Sequence, residues 1–112
     1  MVNTWVMIAY DELKLSCVAV DDVETSEVVP GILRRSLCSE AVWVRAYDFA
    51  PGTEWPETDH HADDELIYVA SGELVDNGLR FPAGSFLHYG PNSQHRPGTE
   101  TGVRILVFGP LR

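Results

Sequence analysis

Two adjacent histidines, His60 and His61, directly follow Asp59, and Glu65 comes four residues after His61. A further histidine, His95, lies thirty residues beyond Glu65. Imidazole nitrogen combined with carboxylate oxygen suits zinc, iron, manganese, nickel or copper. Glu65 leads into a β-branched and aromatic run, LIYVA at residues 66–70, which reads as a buried strand. A first coordination shell needs ligands held on rigid elements, and a loop that opens into a strand meets that need. Asp59, His60, His61, Glu65 and His95 are therefore the expected donors for a divalent ion. Fe2+ and Zn2+ are the leading expectations, with Mn2+ and Ni2+ as alternatives.

The rest of the chain supplies the scaffold. Its 112 residues suit a single domain spanning residues 1–112, and 45% of them are hydrophobic, enough for one core. Seven prolines and nine glycines punctuate short apolar runs, and no stretch shows a helical stripe. That pattern predicts an all-β sandwich or barrel of roughly eight to ten strands. Strands are expected over residues 2–10, 15–20, 31–37 and 41–49, then 66–70 with an extended continuation at 73–75, and finally 79–81, 85–89 and 103–108. The acidic stretch 21–30 reads as a loop. In 41–49, Trp43, Arg45, Tyr47 and Phe49 share one face by strand alternation. Asp76-Asn77-Gly78 is a hairpin signal, because Asn and Gly tolerate the positive φ of a type I′ turn.

The formal charge is −9, from 8 Lys and Arg against 17 Asp and Glu. A field of that sign disfavours nucleic acid and anionic membranes as partners and favours retention of a cation, although most of this charge is expected to be solvated surface. Cys17 and Cys38 form no CxxC pair, which excludes a cysteine-rich zinc site. Without a basic leader or an unbroken apolar span at the start, the expectation is a cytoplasmic protein with free, mostly buried thiols. Asp63 and Asp64 read as loop charges, and His88 as structural or pocket-lining. Trp43, Tyr47, Phe49, Tyr68, Phe81, Phe86 and Phe108 read mainly as core. No GxSxG, HExxH, Walker or Rossmann pattern is present.

The spacing around the histidines resembles that of the cupins. Gly52, Thr58, His60, Glu65 and Gly72 stand at the intervals of the first cupin motif, G-x5-H-x-H-x4-E-x6-G. Gly84, the run Gly90-Pro91-Asn92, and His95 resemble the second motif, with its proline displaced by one residue and its closing Asn replaced by Thr99. Within that superfamily the run PAGSFLHYGPNSQHRP, residues 82–97, is similar to the ChrR-type group, which includes an anti-sigma factor C-terminal domain and relatives of acetylacetone dioxygenase. The resemblance implies a double-stranded β-helix, or jelly-roll barrel, with a metal near its middle.

The ChrR-type register places His61 rather than His60 on the second ligand position, with Asp59 on the first. Strand geometry bears on the choice, because residues i and i+2 project to one side. Thr58 with His60 gives one good ligand, whereas Asp59 with His61 gives two. His61 is favoured, with Asp59 or His60 filling or bordering the remaining position.

The resemblance further implies a metal-dependent enzyme, dioxygenase-like, acting on a small oxygenated molecule such as a β-diketone or hydroxyaryl ketone. The alternatives are a non-catalytic metal- or ligand-sensing domain, and a cupin isomerase or cyclase using His88 or His95 with Tyr89. The expected partners are a small molecule and a second copy of the chain, since many small cupins dimerise and a short chain leaves sheet edges open.

Overall fold

Nine strands are the framework of the described residues. A computed structural model describes residues 14–110. The strands are β1 (Ser26–Val29), β2 (Ile32–Ser39), β3 (Val42–Phe49), β4 (Asp59–His61), β5 (Glu65–Asp76), β6 (Leu79–Pro82), β7 (Phe86–Tyr89), β8 (Ser93–His95) and β9 (Val103–Pro110). The other regular element among the described residues is a 3₁₀ turn, Val20–Asp22. The strand expected over residues 2–10 lies outside the described residues.

Two expectations near the start are corrected. Residues 15–19 form no strand, and Leu15 and Val18 stand exposed; two isolated apolar side chains with no sheet to cover give such a segment no reason to extend. The acidic stretch contains a strand instead of being wholly loop. β1 pairs antiparallel with β2, and its Val28 and Val29 pack against the core. Pro30-Gly31 makes the reversal between them. Gly31 has φ +91°, and a Cβ there would come within 2.7 Å of Thr53 Cγ2, so only glycine fits.

All pairing is antiparallel. The large sheet runs β1-β2-β3-β9-β5-β6, with β7 beside the first half of β5. The small sheet is β4 with β8. Together they form an all-β jelly-roll barrel of the cupin type, with a cavity between the two sheets.

Alternation builds the core. Ile32 on β2 pairs with Phe49 on β3, which pairs with Val103 on β9. One step along, Tyr47 pairs with Ile105, which pairs with Val69 on β5. All six are buried, together with Ile67, Leu74 and Val107. Each such apolar side chain contributes roughly 1.5–3 kcal/mol by leaving water. The same alternation overturns two core assignments. With Glu65, Ile67 and Val69 facing inward, Tyr68 must face outward, and its cross-strand partner Phe86 follows it. Both are exposed, at 38% and 60%. Cys17 is also exposed rather than buried, and both cysteines are free.

β5 is one strand of twelve residues, which takes in both the expected 66–70 and its extended continuation at 73–75. Its register against β9 shifts between Val69 and Ser71, the mark of a β-bulge. Before the shift the odd residues Glu65, Ile67 and Val69 are buried; after it the even residues Leu74 and Asp76 are. Gly72 sits in this region with φ +76°, where a Cβ would fall 2.1 Å from the Gly102 carbonyl oxygen. Asn77 and Gly78, at φ +52° and +75°, close the expected hairpin into β6.

Candidate metal centre

The small sheet and the start of β5 bring the donors together. On β4, Asp59 and His61 project to one side and His60 to the other, as alternation requires. On β8, His95 pairs opposite Asp59 in the antiparallel register. Glu65 is the first residue of β5 and is buried. One donor atom from each of Asp59, His61, Glu65 and His95 lies within 4.8 Å of the others.

The contacts within the group are close. The Nε2 atoms of His61 and His95 are 2.8 Å apart. Glu65 reaches both rings, with Oε2 3.2 Å from His61 Nδ1 and Oε1 3.2 Å from His95 Nε2. Asp59 Oδ2 is 3.4 Å from His61 Nε2. Two imidazoles and two carboxylates converging in this way fit a divalent ion of the borderline class, zinc or ferrous iron, with manganese and nickel also compatible. His60 is exposed and outside the group.

Behind His95 lies a feature that the spacing of residues did not reveal. Asp76, 2% exposed, accepts a hydrogen bond from His95 Nδ1–H at 3.0 Å. Its carboxylate also accepts from the Tyr89 hydroxyl and, at 3.2 Å, from the Arg96 backbone N–H. The Tyr89 ring stacks on the His95 ring at 4.2 Å. A carboxylate on Nδ1 fixes the tautomer and aims Nε2 at an ion.

Burial alone would lower the pKa of His95, but hydrogen bonds and charge from Asp76 and Glu65 outweigh it and push it up to about 9. Burial likewise works against ionisation of Asp76, yet His95, Tyr89 and the Arg96 amide hold its pKa below the usual carboxylate value. Burial and the adjacent Asp76 push the Tyr89 phenol well above its ordinary value, so it stays a neutral donor.

Asp76 was legible only as a turn residue, because the Asp-Asn-Gly signal describes the hairpin and the bulge that turns Asp76 inward leaves no local mark. Thr99, at the closing Asn position of the second motif, is buried; its hydroxyl donates to the Glu73 carbonyl at 2.7 Å and accepts from Gly102 N–H at 3.0 Å. It braces the loop before β9 instead of approaching the metal group. His88 is exposed, pairs with Asp64 at 2.6 Å and is outside the lining of the cavity.

The four donors line a cavity of about 320 Å³. Trp43, Tyr47, Phe49 and Trp55 give it aromatic walls, and Ile105 and Val107 an aliphatic floor. Trp55 comes from the loop between β3 and β4, which the sequence marks only as polar. It meets Tyr47 edge to face at 5.4 Å, and its backbone is held by Pro97 and by the Arg96 side chain. Trp43 lies directly over Gly109, where a Cβ would sit 2.1 Å from the indole.

The family model described as the ChrR cupin-like domain matches residues 14–111. The chain belongs to the ChrR cupin-like family. Solved structures agree on the fold. A chain in the complex of Rhodobacter sphaeroides SigE with the anti-sigma ChrR is 22% identical, with a TM-score of 0.72 over 81% of this chain. This cupin spans 51% of that chain, about half its length. A candidate acetylacetone dioxygenase from Methylibium petroleiphilum is 12% identical, with a TM-score of 0.74 over 86% of this chain and 76% of its own. The polyketide cyclase RemF from Streptomyces resistomycificus is 18% identical, with a TM-score of 0.76 over 88% of this chain and 80% of its own. No curated protein matches in sequence.

Proposed function

We propose that this cupin domain holds a divalent ion on Asp59, His61, Glu65 and His95 and is a dioxygenase-like enzyme for a small oxygenated organic molecule. The observation that carries this reading is the meeting of those four donors in the lining of a cavity that Trp43, Tyr47, Phe49 and Trp55 also line. A bound ion supplies Lewis acidity toward a substrate oxygen and, as iron, redox capacity toward O2. The chain supplies the rest. Asp76 holds the His95 ring through Nδ1, so that Nε2 would be the atom offered to an ion. Trp43, Tyr47, Phe49 and Trp55 keep water from the apolar body of the substrate and fix its plane. The likeness to a candidate acetylacetone dioxygenase favours a β-diketone or hydroxyaryl ketone as substrate.

A second reading has support of its own. The likeness to the anti-sigma complex, of whose chain this domain spans about half, fits a metal- or ligand-sensing domain without turnover. The cyclase reading finds less, because His88 faces outward and the Tyr89 hydroxyl is engaged by Asp76.

Metal content and oxygen uptake separate these readings. The wild-type chain is expected to retain metal, His61→Ala to lose most of it, and His60→Ala to keep it. The iron-loaded protein should then consume O2 as it consumes acetylacetone or a hydroxyaryl ketone. Tightly held zinc with no turnover would favour sensing. Equal metal retention in both histidine variants would reject the centre.

A further inference from the structure

The described residues include six arginines, in a chain with more than twice as many acidic as basic side chains. Four have carboxylate partners. Arg35 and Arg104 share Asp48, Arg80 bridges Glu73 and Glu100, and Arg96 meets Glu54. The remaining two, Arg34 and Arg45, meet no carboxylate among the described residues. Both are nonetheless partly buried, and both line the cavity that holds the metal donors.

Their placement follows from the sheet. Arg34 on β2 pairs with Tyr47 on β3, and Arg45 stands two residues before Tyr47 on the same face. The two guanidinium groups thus arise from diagonal positions, about 7–8 Å apart at the backbone and within mutual reach of long side chains. Arg45 lies over the Trp43 ring at 4.7 Å, which steadies it without neutralising it. Two like charges, partly withdrawn from water and facing one cavity, disfavour the folded state unless an anion joins them. Guanidinium forks match carboxylate geometry, and Trp43, Tyr47, Phe49 and Trp55 in the same lining offer flat apolar faces.

We infer that the cavity selects a small carboxylate with a planar apolar body, its carboxylate seated on Arg34 and Arg45. This rests on reading the cavity as the ligand site of the metal centre, and it narrows the small oxygenated molecule to one that carries a carboxylate, in place of the diketone or ketone that structural likeness alone favours. The cavity volume lies at the small end of the roughly 300–1,000 Å³ of small-molecule sites, which favours a ligand of about one ring.

The test uses benzoate and its neutral isostere benzamide, with binding read by calorimetry and by tryptophan fluorescence. Both are measured on the zinc-loaded protein and after EDTA treatment. Benzoate is expected to bind at least about tenfold more tightly than benzamide, and Arg34→Gln and Arg45→Gln should each remove most of that preference. Arg45→Lys should keep part of it, and Arg80→Gln, on the outer surface, should leave it unchanged. Thermal melting and metal content of each variant establish that the fold and the ion are retained. Equal binding of benzoate and benzamide by the zinc-loaded protein would overturn the inference while leaving the metal centre standing. Full preference retained in both glutamine variants would overturn it as well. If no ion is held but the EDTA-treated chain still prefers benzoate through both arginines, the metal reading fails and the anion site stands.

Discussion

At the scale of single residues, Asp76 is the buried carboxylate that backs His95 in the four-donor group. It receives three hydrogen bonds, from His95, Tyr89 and the Arg96 amide, and it is nearly inaccessible to solvent. Asp76→Asn keeps the shape but removes the charge that faces the His95 ring and leaves an amide N–H₂ to confront a donor. Metal affinity is expected to fall by about 10- to 100-fold, the usual cost of losing a carboxylate behind a ligating histidine. Tyr89→Phe removes one donor only and should lower stability by about 1 kcal/mol with little change in metal affinity. Competition against a chelating dye, with urea melts alongside, checks both. Unchanged affinity in Asp76→Asn would show that His95 needs no such support. The i, i+2 rule favours His61 beside Asp59, and it is His61 rather than His60 that stands in the four-donor group. Asp76 was not legible in this way, because its direction depends on a bulge six residues earlier.

At the scale of elements, strand pairing is locked from the outer face as well as from the core. Asp48 on β3 sits opposite Arg104 on β9 and receives Nε–H at 2.7 Å and Nη2–H at 3.0 Å, while Arg35 on β2 meets the same carboxylate. One acidic side chain thus ties three adjacent strands. Burial pulls the Asp48 pKa up, but Arg104 and then Arg35 pull it down further, below the ordinary 3.8. A carboxyl depressed in the folded state stabilises the fold above its unfolded value and loses that contribution as pH falls through the folded value. Asp48→Asn is therefore expected to cost about 1 kcal/mol at pH 7, a modest figure because the pair is partly exposed. The deficit should shrink once pH drops below 3.8. Urea melts of both proteins at pH 7 and near pH 3 give the comparison, and an equal deficit at the two pH values would reject this role. The expected strands over 41–49 and 103–108 correspond to β3 and β9 because uninterrupted alternation suffices to specify a central strand. β1 was missed because its Ser and Glu, lying outermost on the sheet, face solvent and dilute the apolar signal.

At the scale of the molecule, the cavity lies between two sheets of unequal size. β1 has no further strand beside it among the described residues. Outward apolar groups such as Phe86 and Leu79 invite a second copy. The proposed homodimer should appear in sedimentation velocity at micromolar concentration as a species of twice the chain mass. A monomer alone at that concentration would end the proposal. No helix among the described residues is long and apolar enough to cross a membrane.

The sequence by itself determined the class of fold and the chemical character of the site. Period-two alternation, glycine and proline punctuation and the Asn77-Gly78 turn act over a few residues, so they can be read locally, as can the clustering of Asp59, His61 and Glu65. Only the tertiary structure decided which side chains meet across distance. Pairing of β4 with β8 set His95 against Asp59, a register shift turned Asp76 inward, and the curvature of the large sheet brought Arg34 and Arg45 to the same cavity as the metal donors. The physical reason is that inter-strand register and bulges are settled by the packing of all strands together, and no short stretch of residues encodes them alone.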